Sequence, residues 1–240
     1  MAAGVVSQSL GGLKEYVYRG LQQLPIVLAS TSLIYTVATG SLAHLNIFAG
    51  MAFIIPIVTV ILQQLIALLC NLAVPNSIFW KRGSGDTCNM IVSGKQDLTY
   101  FDKSAPGGAV PSFWIMEVSF FIGYCISNAV DSLLTPAAQG SSDINHEKRN
   151  THAIIVIVTT VIFSVLVLGM RLYFMRSCEG IHWGGFVLSF LGAAGAAGIG
   201  YGMYDLSRKC GARSSDLFGV LSQILPPSAT SPHPVVCSAS

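Results

Sequence analysis

The chain has 240 residues and a mass of 25.4 kDa; 52% of its residues are hydrophobic, only 10% are charged, and the net charge is +2. A soluble globular domain carries about 25% charged residues, so a water-soluble fold of this size would lack the charge to cover its surface. A bilayer removes that difficulty because it is itself an apolar solvent, and the near-neutral charge excludes nucleic-acid binding by bulk electrostatics.

Lys14, Glu15 and Arg19 precede any long apolar run, and the first such run is followed directly by another. That order predicts a first span that is retained, with no cleavable leader, and the Met-Ala-Ala start lacks the glycine that myristoylation needs. Leu10, Leu13, Val17, Leu21 and Leu24 recur at helical spacing. They read either as an amphipathic helix on the membrane surface or as an extension of the first span.

Five stretches reach the roughly 20 residues that cross a bilayer. They are about 24–43, 47–72, 113–134, 152–174 and 184–204. The fold class is therefore an all-α integral membrane bundle with an N-terminal amphipathic helix, one domain over 1–225, and a flexible Ser- and Pro-rich tail over 226–240. The Ser and Thr of the first span can bond to their own helix's carbonyls. Pro25 is placed at the start of that span, where a missing N–H costs little, and Pro56 is expected to kink the second. One of Gln63 and Gln64 should face protein, since an amide facing lipid lacks partners. A short loop around His44 and Asn46 joins the first two spans. The 74–112 segment carries mixed charge and a candidate hairpin around Met90 to Tyr100. A second polar loop covers 135–151, and a turn at 175–183 holds Arg176, Cys178 and Glu179.

Five spans put the N-terminus, the 74–112 segment and the 175–183 turn on one side. Eight Lys and Arg fall there against five opposite, which favours the cytosol for the first group. Cys88 and Cys178 share that side and are able to meet, but a reducing compartment argues against their pairing. There is no CxxC, HExxH, GxSxG or P-loop, and the histidines are scattered singly. No catalytic site, metal or cofactor is expected. The run Gly192 to Gly202 lacks the strand a nucleotide fingerprint needs. Ala194, Gly198 and Gly202 recur every four residues and read as a helix-packing seam.

In the third span Glu117, Phe121, Tyr124, Asn128 and Asp131 are spaced by four, three, four and three residues, so they line one helix face. Interhelical hydrogen bonding is the favoured reading of this stripe; a proton or ion path, in a small channel or transporter, is the alternative. Glu117 and Arg171 fall at similar depths in consecutive spans, and a buried ion pair between them is expected.

Several segments resemble a family of multi-pass membrane proteins of large icosahedral DNA viruses, such as those of algae. They are Leu24-Pro25, the Pro56 region, SFWIMEVSFFIGYCISNAV at 112–130, EKRNTHAIIVIV at 147–158, Cys178-Glu179, and KCGARSSDLFGV at 209–220. The resemblance implies a structural virion protein, a minor capsid component tying an inner membrane to the shell. Its expected partners are the bilayer, capsid or other virion proteins, and further copies in a homo- or hetero-oligomer. Its expected location is the virion inner membrane, and host endomembrane during assembly.

Overall fold

Among the described residues five helices are long and apolar enough to cross a membrane, so the chain is an all-α membrane bundle. The structure is a computed structural model and describes residues 2–75, 77–84, 88, 106–135, 143–210 and 217. Helix α1 covers Ala2–Thr39. The second span is α2 (Leu42–Ala49), one wider π turn (Gly50–Ile54) and α3 (Ile55–Ala73). Strands β1 (Lys81–Gly83) and β2 (Pro106–Ala109) pair antiparallel, with Lys81 opposite Ala109 and Gly83 opposite Pro106. Then come α4 (Phe113–Leu134), α5 (Asp143–Glu179) and α6 (Trp183–Lys209).

Helix α4 is the hub. Two-thirds of its apolar window (67%) is buried inside the chain, against 11% for the second span and 17% for α5. Leu68, Leu69 and Leu72 on α3, and Ile154, Ile155, Val165 and Leu166 on α5, are exposed. In water that surface would be costly; facing hydrocarbon it is the expected outer surface.

The packing between α4 and α6 is backbone against backbone. A Cβ on Gly123 would overlap the Ala197 carbonyl, and one on Gly200 would overlap the Phe120 carbonyl and lie 2.8 Å from the Tyr124 nitrogen. Small residues allow that approach, and close van der Waals contact is the main attraction between helices in lipid. The seam on α6 is thus Gly192, Ala196 and Gly200. Ala194, Gly198 and Gly202 lie on the exposed face instead, and a Cβ on Gly198 or Gly202 would touch nothing within 4 Å.

Both prolines act differently from a plain start or kink. Pro25 lies inside α1, not at its start. A proline there deprives the carbonyl four residues earlier of its helical partner. That carbonyl belongs to Leu21, and the Trp114 indole N–H donates to it. The helix therefore runs through the proline, and residues before it extend the first span, the second of the two readings above. Pro56 opens α3 straight after the π turn, whose wider spacing accommodates the missing N–H. The Phe120 ring fills the space above Gly50 in that turn.

Element boundaries move in four further places. His44 and Asn46 are inside α2; the turn is Gly40–Ser41, with Gly40 at φ 66°, a left-handed conformation suited to glycine. Residues 143–151 are helical, and α5 continues to Glu179, so its polar ends project beyond the apolar run. From Asp143 to the break at Met175, α5 is about 48 Å long, well beyond a hydrocarbon core of about 30 Å. The hairpin is built from 81–83 and 106–109; the one expected around Met90 to Tyr100 lies outside the described residues, as does the 226–240 tail. The hydroxyls of α1 do bond backward: Ser32 to Leu28 O at 2.9 Å, Thr36 to Ser32 O at 2.9 Å and Thr39 to Tyr35 O at 2.6 Å. Gln63 donates to the Pro111 carbonyl at 2.7 Å, while Gln64 is exposed.

Candidate functional site

The densest polar arrangement lies at the end of the bundle where α5 stops. Arg171 and Glu179 are 1% and 0% exposed, and Arg171 Nε lies 3.0 Å from Glu179 Oε1. Eight residues of straight helix rise about 12 Å, too far for a close pair. The backbone at Met175 leaves helical geometry (φ −133°, ψ 33°), which folds the last turn back toward Arg171. Arg171 also donates to Met175 Sδ at 2.7 Å, and its guanidinium sits 4.7 Å over the Trp114 ring. A guanidinium is well suited to that double use, stacking on its face and donating at its edge.

Glu179 is held from three further directions. Ser112 Oγ donates to Oε2 at 2.6 Å, and the same hydroxyl accepts from Ile115 N as the N-cap of α4. Ser189 of α6 donates to the Glu179 backbone carbonyl at 2.6 Å, one of the carbonyls a helix end leaves without a partner. Arg82 brings a second cation. Burial pushes its guanidinium pKa down, Glu179 pulls it up and Arg171 pushes it down again. Through Trp114 and Leu21 the network reaches α1, so one buried acid indirectly joins four helices.

A cap covers this end. Cys88 and Cys178 form a disulfide with Cα atoms 5.1 Å apart, which corrects the expectation that the pair stays reduced. Ile181 N donates to Lys81 O at 3.1 Å, and Val110 N to Trp80 O at 3.2 Å. Gly180 (φ 152°) turns the chain between α5 and α6, where any Cβ would overlap the backbone around Phe186. An open cleft of about 370 Å³ beside the cap is lined by Tyr173, Phe174, Arg176, Ser177, Gly180 and Ile181.

The stripe on α4 is divided among separate contacts. Tyr124 OH donates to Ala43 O at 3.3 Å. Asp131 accepts from Tyr204 OH at 2.7 Å and pairs with Arg208 at 3.0 Å, at the end opposite the cap. Asn128 is buried, with a polar partner of its own. Glu117 is 3% exposed and is not paired with Arg171, which takes Glu179 instead. On α2, Asn46 donates to Met203 O at 2.7 Å, and His44 Nε2 lies 2.6 Å from Leu217 O.

The sequence reading missed Glu179, Ser112, Trp114, Ser189 and Arg82 as network members. Ser112, directly before a long apolar helix, carried an N-cap signal; the rest carried none that spacing reveals. Comparisons with protein-family models, curated proteins and solved structures find no match.

Proposed function

We propose that the chain is a structural membrane protein of a virion, a minor capsid component that ties an inner membrane to the protein shell. The observation that supports the structural role is the Glu179 network. Its polar groups join helices and seat a cap, and they face one another instead of a shared aqueous path. The virion assignment rests on the sequence resemblance.

The 74–112 segment is the docking surface in this reading. Its described ends are fixed by the β1–β2 pairing and by the Cys88–Cys178 bond. Trp80 is buried in a second apolar cluster with Ile66, Ala109 and Val110, so it anchors the segment, and Phe79 beside it is exposed. Lys95 and Lys103, which lie outside the described residues, are the chemical handles. Amine crosslinking in intact particles should yield adducts of these lysines with shell proteins, identified by mass spectrometry. Adducts confined to other membrane proteins would refute shell docking.

The rival reading is conduction along α4. The Tyr124–Ala43 and Asp131–Tyr204–Arg208 contacts occupy that face, leaving Glu117 as the stripe's acid with no ion pair among the described residues.

A further inference from the structure

The cysteines differ sharply between the two ends of the bundle. Cys88 and Cys178 are joined at the capped end and are 6% and 0% exposed. Cys210, directly after α6 at the other end, is exposed and unpaired, and Cys70 and Cys125 lie within spans. Two thiols become a disulfide by passing two electrons and two protons to a disulfide donor, which is reduced to its dithiol. Such donors, protein dithiol–disulfide oxidoreductases, act in the secretory lumen and outside the cell, while the cytosol keeps thiols reduced.

The charge count that opposes this placement weakens once the structure is known. Two of its eight cations are internal. Arg171 is buried against Glu179. Arg82 is half-buried, stacked beside Gly108 and directed at the Cys88 carbonyl at 3.4 Å. The positive-inside bias counts Lys and Arg in the short loops flanking the spans, and Arg171 lies within α5 itself. Arg149 on the opposite side is likewise half-buried and donates to the Thr135 carbonyl, so without these three the count is six against four, a margin of two in place of three.

We infer that the capped end, together with the N-terminal end of α1, lies on the non-cytosolic side of the membrane, and that α6 ends in the cytosol. Contacts across the capped end place these parts together: Tyr18 OH donates to Phe174 O at 3.4 Å, Trp114 donates to Leu21 O, and Cys88 is bonded to Cys178. The orientation does not depend on the anchoring role.

The native sequence contains no Asn-X-Ser/Thr triplet, so an introduced one reports sidedness against a clean background. Ile91→Thr completes an acceptor at Asn89 in the 74–112 segment, and Ser228→Asn creates one in the C-terminal tail. The full chain carrying either change is expressed in cells with a secretory pathway and treated with an endoglycosidase. A glycan on the first variant alone is expected. A glycan on the second, with or without the first, overturns the orientation. If neither is modified, sealed microsomes with the cytosolic face outward are treated with an impermeant maleimide in a Cys237→Ser background. Labelling of Cys210 before detergent supports the assignment, and labelling that waits for detergent overturns it.

Discussion

Glu179→Gln is expected to destabilise the protein by about 3–5 kcal/mol, the usual consequence of removing one partner from a buried ion pair. The change leaves the Arg171 guanidinium 1% exposed with no anion, and leaves Arg82 facing a second uncompensated cation. It also alters the acceptor of the Ser112 hydroxyl, which caps α4. Arg171→Met should cost a similar amount for the opposite reason, stranding a buried carboxylate. The double variant should recover part of either loss, because neither member of the pair is left stranded and a buried pair is often no better than apolar residues of equal volume, while Arg82 still lacks the Glu179 carboxylate. Denaturant titration in a fixed detergent gives all four corners of the cycle. Additive losses would mean that the two side chains are not coupled.

The spans were legible because each is a run of apolar residues long enough to cross a bilayer, and such a run has few other uses in a chain this poor in charge. The ends of the helices were less legible. Asp143 to Thr151 is polar yet helical, since a helix emerging from the membrane is under no pressure to stop where its apolar residues stop. The network was harder still. Arg171 and Glu179 are eight apart, a separation that meets on no straight helix, and the departure at Met175 that joins them has no proline or glycine to announce it. The use of Pro25 depends on a tryptophan 89 residues further along the chain. Arg171 was expected beside Glu117 and takes Glu179 instead.

Gly200→Leu is expected to cost about 3 kcal/mol, at the upper end of overpacking effects, because the added atoms meet backbone with no rotamer to move aside. Gly198→Leu, two residues away, should change the stability of the single chain by no more than about 0.5 kcal/mol, because its side chain enters open space. Two residues turn a helix by about 200°, so the two small-residue stripes of α6 lie on opposite faces and sequence spacing alone cannot rank them. Gly123 on α4 marks which stripe is internal, and it is visible only once α4 and α6 are known to be neighbours. Thermal unfolding of both variants in the same detergent tests the assignment. Equal losses, or a larger loss at Gly198, would reverse it.

We propose that the polar residues of this bundle are internal struts and that the chain conducts nothing. The direct measurement is proton and cation flux in liposomes containing the purified oxidised chain, read with entrapped pH- and ion-sensitive dyes under an imposed gradient. The account predicts flux equal to that of protein-free liposomes. A protein-dependent flux that disappears in Glu117→Gln would contradict it, and would make the α4 stripe a conduction path.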